Sequence, residues 1–163
     1  MMKLALMLLT LLPSAKAQFD ESAFRHALKV KKELYIKDGT ISGGDRNESD
    51  FKVSEVRIAA NPSGYDRVVI DFGKNSNLPP YFMVETNSTL KKVTITAFGK
   101  AQLDFSSQSA IQAAKKTKSI AKLNFIPLVN ADRWTWSIET QDPVKAEVFE
   151  LSHPARIIID LKK

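Results

Sequence analysis

The chain has 163 residues, contains no cysteine and carries 24 lysines and arginines against 18 aspartates and glutamates. The length fits one ordinary domain with short additions. Because there is no cysteine, disulfide-stabilised scaffolds and thiol nucleophiles are excluded. The net charge of +6 is a mild excess that permits attraction to an anionic surface but does not imply a nucleic-acid partner.

The first 17 residues have the three-part pattern of a secretory signal peptide. Lys3 provides the positive start, residues 4–12 form an apolar run, and Ala15-Lys16-Ala17 is a small-residue cleavage site. The run is too short to span a bilayer comfortably, which disfavours the alternative of an uncleaved anchor. We therefore predict cleavage after Ala17, export to the periplasm and no stable membrane insertion of the mature protein.

Residues 18–38 are predicted to form an N-terminal helix, and residues 39–51 a flexible linker. Phe24 and Leu28 lie along one helical row, but the apolar stripe is narrow. It leaves three options open: docking on the following domain, disorder, or binding a partner. A glycine pair and a polar stretch favour the linker.

The domain proper is predicted over residues 52–163, where short apolar–polar alternations are separated by turn signals. The predicted strands cover residues 53–60, 67–72, 81–85, 92–98, 120–126, 133–140, 145–151 and 156–161. A short helix is predicted over residues 106–116, with Ser106 or Ser107 as its cap. This pattern favours an all-β fold, a small β-sandwich of two sheets with the helix between its halves.

Two of these strands share a pattern in which an arginine precedes an aspartate by four residues. Arg67 and Asp71 bracket one strand, and Arg156 and Asp160 bracket the last. The residues of the last strand predicted to face the core are Ile157, Ile159 and Leu161. The charged face is predicted to be solvated, as in a half-exposed antiparallel sheet. The flanking strands also correspond between the two halves, which predicts an internal duplication with a pseudo-twofold relation.

The strand Arg67–Asp71 and the closing stretch Pro154–Leu161 resemble the AMIN domain, which targets bacterial N-acetylmuramoyl-L-alanine amidases and pilus secretins to the cell envelope. The resemblance covers residues 52–163. It implies a small β-sandwich with pseudo-twofold halves, a periplasmic location and affinity for peptidoglycan. The chain departs from the family pattern over residues 90–95, which lack the Pro, Arg and Asp, and after Arg133, where tryptophans replace aliphatic residues.

A zinc amidase would need metal ligands drawn from histidine and glutamate. The chain has only two histidines, His26 in the predicted N-terminal helix and His153 in a turn, and no H-E-x-x-H cluster. It also lacks a G-x-S-x-G motif and a phosphate-binding glycine loop. We therefore expect no enzyme activity, no catalytic residue, no metal and no cofactor. Paired carboxylates for glycan cleavage are an alternative that the sequence leaves open.

Trp134 and Trp136 share one face of a predicted strand with Ile138. The opposite face carries Arg133 and other polar residues, so it is predicted to be the solvated one. The tryptophans are therefore predicted to be core residues. The alternative is a platform on which sugar rings stack.

Outward arginines are the candidate ligand-binding residues, namely Arg57, Arg67, Arg133 and Arg156. Their guanidinium groups would bind carboxylates of peptidoglycan stem peptides in bidentate fashion, and truncating Arg67 or Arg156 should change stability by about 0.5 kcal/mol or less. The alternative is cross-strand pairing with acidic residues, for which the candidates are Glu55, Asp71, Glu139 and Asp160. A second basic group near the middle helix, either a solvated face or a contact for an anionic partner, comprises Lys115, Lys116, Lys118 and Lys122.

Together these features predict a non-catalytic periplasmic module that places itself or a partner on the cell envelope by binding peptidoglycan. The alternative is an accessory subunit that binds another envelope protein, such as a secretin or an amidase, through a sheet edge or the N-terminal helix. A hydrolase with an unrecognised site is a third possibility.

Overall fold

The computed structural model describes residues 34–47, 50–73, 77–126 and 132–163. These residues form ten β-strands and one short helix. The strands are β1 (Gly39–Gly43), β2 (Asp50–Asn61), β3 (Tyr65–Phe72), β4 (Phe82–Asn87), β5 (Lys92–Phe98), β6 (Lys100–Leu103), β7 (Ile120–Ile126), β8 (Arg133–Thr140), β9 (Lys145–Leu151) and β10 (Arg156–Lys162), and the helix is α1 (Ser107–Ala114). The signal peptide predicted over residues 1–17 lies outside the described residues.

The strands form two five-stranded sheets. Sheet I has the order β1-β4-β5-β8-β7, and sheet II has the order β6-β2-β3-β10-β9. Neighbouring strands are antiparallel, except that β2 and β6 are parallel. The inward side chains of both sheets belong to one hydrophobic cluster. The fold is therefore all-β and sandwich-like, as predicted.

Period-2 alternation explains why these segments form strands with one buried face. In β5, Val93 and Ile95 have no exposed surface, while Thr94 between them is partly exposed. In β10, Ile157, Ile159 and Leu161 also have none, which confirms the predicted inward face. Full burial of one isoleucine side chain contributes about 1.5–3 kcal/mol. The shared core between the sheets is thus the main source of stability.

Strand β2 carries an irregularity that alternation alone does not predict. Val53 and Val56 are three residues apart, yet both are buried. The register of β2 against β3 shifts between Val53 and Glu55. An extra residue at this bulge returns the following side chains to the core face. The hydroxyl of Ser54, inside the bulge, donates a hydrogen bond of 3.1 Å to the carbonyl oxygen of Asp71.

The helix predicted over residues 18–38 lies mostly outside the described residues, and its last five residues are not helical. Within residues 34–38, Ile36 forms an antiparallel β-bridge with Ala146 on β9. This part of the prediction is wrong because the backbone of Ile36 finds hydrogen-bond partners on another strand. A row of apolar residues at helical spacing does not exclude such pairing with a strand.

The linker predicted over residues 39–51 is also wrong. Gly39–Gly43 is strand β1, which pairs along its whole length with β4, and β2 already begins at Asp50. Glycine weakens a strand, but an edge strand forms backbone hydrogen bonds with only one neighbouring strand. Ile41 supplies the apolar contact with the core. The folded domain therefore begins before residue 52.

Residues 36–45, which we call the N-terminal strap, join the edges of the two sheets. The first residue of the strap bridges β9 of sheet II through two backbone hydrogen bonds of 2.8 Å, and β1 then runs along the edge of sheet I. The N–H of Gly44 donates a bond of 2.7 Å to the buried carboxylate of Glu150. Gly44 has a φ of +83°, and a Cβ there would lie 2.0 Å from the carbonyl oxygen of Pro80. Only glycine fits this position.

The strap is also fixed by Asp38, whose carboxylate accepts hydrogen bonds from the backbone N–H (2.7 Å) and the hydroxyl (2.9 Å) of Ser88. These bonds, with a smaller contribution from Lys37, lower the pKa of Asp38 below its ordinary value of 3.8. A group whose pKa is lowered by folding stabilises the fold above its unfolded pKa and stops doing so as the pH falls through its folded pKa. We expect the Ser88 amide resonance to titrate with a midpoint below pH 3.8 in NMR spectra.

Asp38→Asn is the control for this titration, since it keeps the side-chain shape but removes the ionisable group. The Ser88 amide of that variant should show no transition in the same pH range. A wild-type midpoint at or above the ordinary value would show that the two hydrogen bonds do not hold the carboxylate in solution.

Helix α1 connects the two halves, as predicted. The Ser106 hydroxyl caps it by accepting a hydrogen bond of 3.2 Å from the N–H of Ser109, and Ala110 and Ala114 are buried in the core. The preceding strand β6 was not predicted, because all four of its residues are exposed and show no alternation. No helix among the described residues is long and apolar enough to cross a bilayer.

The connectivity of the two sheets shows a further regularity. Exchanging β2 with β7, β3 with β8, β4 with β9 and β5 with β10 converts the run β4-β5-β8-β7 of sheet I into the run β9-β10-β3-β2 of sheet II. Each sheet therefore contains one hairpin from the first half of the domain and one from the second.

Candidate functional site

The two strands with the Arg-to-Asp pattern are neighbours in sheet II. Strands β3 and β10 are antiparallel, and their register places Arg67 opposite Asp160 and Asp71 opposite Arg156. Each strand carries an arginine and, four residues later, an aspartate. Because the strands are antiparallel, each arginine then lies opposite the aspartate of the other strand. In this register the repeated pattern gives each arginine an acidic partner on the neighbouring strand.

The Arg67–Asp160 pair is bidentate and largely buried. The Nε and Nη2 atoms of Arg67 donate to the two carboxylate oxygens of Asp160 at 2.7 and 2.8 Å, and Nη2 also lies 3.2 Å from the Tyr65 hydroxyl. The side chain of Asp160 has no exposed surface, while that of Arg67 is 31% exposed. The hydrogen bonds to Asp160 raise the pKa of Arg67 above its ordinary value. The Nε and Nη2 atoms of Arg67 are therefore engaged within the protein.

Asp71 binds two of the other candidate arginines. Its carboxylate accepts hydrogen bonds of 2.7 and 3.0 Å from Arg57 on β2 and of 2.8 Å from Arg156 on β10. The bonds to Asp71 raise the pKa of Arg57, and Glu55 adds a weaker contact at 3.5 Å. Cross-strand pairing, which was the alternative for these residues, is thus what the structure contains.

The outer face of sheet II is not the solvated face that the charge pattern predicted. Val69, Phe149 and Ile158 form a second small apolar cluster on it. Acidic side chains are also buried in this half of the fold, namely Asp66, Asp71, Glu147, Glu150 and Asp160. The expectation that truncating Arg67 costs little stability assumed a solvated face, whereas its partner carboxylate is buried, so we now expect a larger cost.

Arg133, the fourth candidate, lies apart from the others on β8 of sheet I. The register places it opposite Phe98 of β5, not opposite an acid. Its side chain is exposed, and no carboxylate of the described residues lies within 4 Å of it. Glu139, its suggested partner, accepts a hydrogen bond of 2.7 Å from the side chain of Asn124 instead. Arg133 is therefore the candidate arginine that the described part of the fold does not engage in an ion pair.

A surface cleft of about 530 Å³, which we call the Tyr81 cleft, lies beside Phe98 at the same end of sheet I. Its side chains include two aromatic rings, two cations and two carboxylates, namely Tyr81, Phe98, Arg46, Lys100, Asp50 and Asp132. The ring centroids of Tyr81 and Phe98 are 5.1 Å apart with their planes tilted by 30°. The guanidinium carbon of Arg46 lies 5.0 Å from the Tyr81 centroid, in cation–π contact.

Four distant segments are brought together at this cleft by backbone hydrogen bonds. The N–H of Phe98 donates to the Tyr81 carbonyl at 2.8 Å, the N–H of Tyr81 to the Asp45 carbonyl at 2.8 Å, and the N–H of Gly99 to the Asp132 carbonyl at 2.7 Å. Sequence reasoning missed the cleft because its residues come from separate strand ends. The sequence contained one signal of the cleft. Alternation in β5 places Phe98 on the other face of the strand from the core residue Val93, which is an unusual position for an aromatic residue.

The tryptophans are core residues, which confirms the preferred interpretation. Trp134 and Trp136 are 2% and 1% exposed. Their rings lie 5.8 Å apart, and Trp136 stacks on Phe125 at 4.9 Å. Their interpretation as a sugar platform is therefore wrong.

The second basic group remains exposed. Its members are Lys115, Lys116, Lys118 and Lys122. Within the described residues none of them forms a salt bridge. The turn that carries Lys115, Lys116 and Lys118 is fixed by Asp66, whose carboxylate accepts hydrogen bonds from the backbone N–H groups of Lys118 (3.1 Å) and Ser119 (2.6 Å).

The histidines do not meet in the described part of the chain. His153 is an exposed turn residue with a positive φ of 55°, and His26 lies outside the described residues. No group of three or more histidine, aspartate or glutamate side chains in the described ranges is arranged to hold a metal ion.

Comparisons with known proteins found no relative. No family model, no curated protein and no solved structure matches this chain. The resemblance to the AMIN domain therefore depends on the sequence of the strand Arg67–Asp71 and of the closing stretch Pro154–Leu161.

Proposed function

We propose that this chain is a non-catalytic binding module of the bacterial envelope that attaches to peptidoglycan. The observation that carries the proposal is the relation between the sheets. Exchanging the hairpins of the two halves reproduces the order of strands, and the two AMIN-like strands pair directly with each other in sheet II. This order of strands supports the arrangement that the resemblance implies, a β-sandwich whose halves are related by a pseudo-twofold axis.

An internal duplication accounts for the positions of the two arginine-led strands in sheet II. The exchange relates β3 to β8 and β10 to β5, so the central pair of one sheet corresponds to the central pair of the other. Arg67 in β3 then corresponds to Arg133 in β8, as each follows an aspartate at the start of its strand. The two halves have diverged at the position opposite the arginine, which is Asp160 in sheet II and Phe98 in sheet I.

The periplasmic location is part of the proposal and is supported by the N-terminal leader pattern. In that compartment peptidoglycan is an abundant ligand that offers sugar rings, amides and carboxylates. The outer face of sheet I presents groups that suit such a ligand, since it carries hydroxyl side chains, including Thr96 and Thr135 with their oxygens 3.1 Å apart, next to Arg133.

The test is sedimentation of the mature protein with purified, insoluble peptidoglycan. We expect the protein to move from the supernatant to the pellet as the amount of peptidoglycan increases, and the pelleted glycan to remain intact. A protein that stays in the supernatant at every amount would contradict the proposed function. Release of soluble glycan fragments would contradict the non-catalytic role and favour a hydrolase.

A further inference from the structure

We propose that the Tyr81 cleft, together with Arg133, is a binding site for an amino-sugar glycan that carries carboxylates. The inference rests on the proposed function for the source of the glycan, which would be peptidoglycan. The cleft itself can be tested with soluble saccharides, so that the two proposals can fail separately.

The aromatic pair provides the surface for the sugar ring. Tyr81 and Phe98 are both partly exposed, whereas Trp134 and Trp136 are buried in the core. With centroids 5.1 Å apart and planes 30° from parallel, the two rings pack against each other, and together they line the cleft with apolar surface. The C–H groups on the flat face of a pyranose carry partial positive charge and pack favourably on the negative face of an aromatic ring.

Two arginines near these rings are available for a carboxylate. Arg46 is exposed and held over the Tyr81 ring at 5.0 Å. Arg133 is exposed and lies opposite Phe98 in the cross-strand register, where side chains approach each other closely. Neither forms an ion pair with a carboxylate in the described part of the chain, in contrast to Arg57, Arg67 and Arg156. A guanidinium fork binds a carboxylate through two parallel hydrogen bonds.

The remaining rim suits hydroxyl and amide groups. The carboxylates of Asp50 and Asp132 line the same cleft and would accept hydrogen bonds from sugar hydroxyls and acetamido N–H groups. Gly99, which has a φ of +122°, also lines the cleft. Cations and carboxylates on one rim favour a hydroxyl-rich ligand with local negative charge over a uniformly anionic polymer.

The difference between the two sheets points to the same residues. In sheet II the position opposite the strand arginine holds Asp160, which engages Arg67 in two hydrogen bonds. In sheet I the corresponding position holds Phe98. One substitution in the repeat therefore both exposes an aromatic ring and leaves Arg133 without an internal carboxylate among the described residues.

Calorimetric titration with two soluble glycans tests the site. The first is the tetramer of N-acetylglucosamine, which has no carboxylate, and the second is a tetrasaccharide released from peptidoglycan with its stem peptides. Phe98→Ala and Tyr81→Ala should each weaken both ligands about ten- to a hundredfold, since one stacking surface is lost. Arg133→Gln should weaken only the carboxylated ligand, by about tenfold, because it removes a charge-assisted hydrogen-bond donor.

Leu90→Ala is the matched control. Leu90 is 68% exposed in the turn between β4 and β5, at the end of that hairpin opposite to the cleft, so its truncation removes exposed apolar surface without touching the site. Its affinity for both glycans should equal that of the wild type. Thermal melting of each variant separates loss of binding from loss of folding. If Phe98→Ala does not fold, amide shifts of the wild type on titration decide the question, and shifts away from Tyr81, Phe98 and Arg133 would overturn the site.

The outcomes distinguish the site from the proposed function. If the wild type pellets with peptidoglycan and all three cleft variants pellet equally well, the site is wrong and the function stands. If the wild type binds the soluble glycans but not peptidoglycan, the function is wrong and the site stands. Binding of the carboxylated glycan that is unchanged in Arg133→Gln would remove the arginine from the site.

Discussion

Replacing Ile159 by aspartate should leave the domain unfolded at room temperature and neutral pH. Ile159 has no exposed surface and lies on β10 between Val68 of β3 and Val148 of β9. Loss of the isoleucine side chain costs about 2–5 kcal/mol, and burial of a carboxyl group without partners costs about 2–7 kcal/mol more. The sum is comparable to the whole stability of an ordinary domain, about 5–15 kcal/mol. Far-UV circular dichroism and a missing thermal transition would show the loss.

Two further substitutions control this result. Leu90→Asp introduces the same charge at an apolar residue that is 68% exposed, and it should change the stability by about 0.5 kcal/mol or less. Ile159→Val keeps the core apolar and should cost about 0.5–1.5 kcal/mol. If Ile159→Asp melted within a few degrees of the wild type, the register of β10 would have to differ by one residue, which exchanges the two faces of a strand.

The strands with clear alternation could be predicted from the sequence alone. All eight predicted segments form strands, and the inward residues of β10 are the predicted ones, because burial on one face imposes a period of two that no other structure shares. The helix between the halves was predicted for a similar reason, as its serine cap and small apolar residues lie at recognisable spacings.

Two of the four edge strands, β1 and β6, could not be predicted in the same way. The residues of β6 are all exposed, and β1 begins and ends with glycine. Such strands form because a neighbouring strand offers unsatisfied backbone groups, which is a property of the partner and not of the segment itself. The N-terminal strap can therefore be recognised only in the folded structure, where β4 and β9 provide its hydrogen-bond partners.

The outer face of sheet II shows a different limit. Charged residues that alternate with apolar ones indicate a solvated face only where no oppositely charged residue of a neighbouring strand pairs with them. Arg67 and Asp160 are 93 positions apart, and their contact depends on the register of β3 against β10. The equal spacing of arginine and aspartate in both strands contained this information, but it predicts a pair only when the two strands are assumed to be antiparallel neighbours.

Removing the guanidinium of Arg67 should also destabilise the domain, though less than Ile159→Asp does. Arg67→Ala takes two hydrogen bonds of 2.7 and 2.8 Å from the carboxylate of Asp160, whose side chain has no exposed surface. It also removes cation–π contacts with Tyr65 and Phe149 at 5.2 and 5.7 Å. Breaking a buried pair costs about 3–5 kcal/mol, and since Arg67 is partly exposed we expect about 2–3 kcal/mol. Urea denaturation measures the free energy of unfolding directly.

Arg133→Ala is the matched control, because Arg133 is a strand arginine of sheet I that lies opposite Phe98 in the register and is exposed. It should change the free energy of unfolding by about 0.5 kcal/mol or less. A double-mutant cycle with Arg67→Ala and Asp160→Ala isolates the coupling between the two side chains, since each single change also removes other contacts. If Arg67→Ala and Arg133→Ala proved equally mild, the Arg67–Asp160 pair would not stabilise the fold in solution. The Arg-to-Asp pattern would then have to be explained by a ligand instead of by the pairing of β3 with β10.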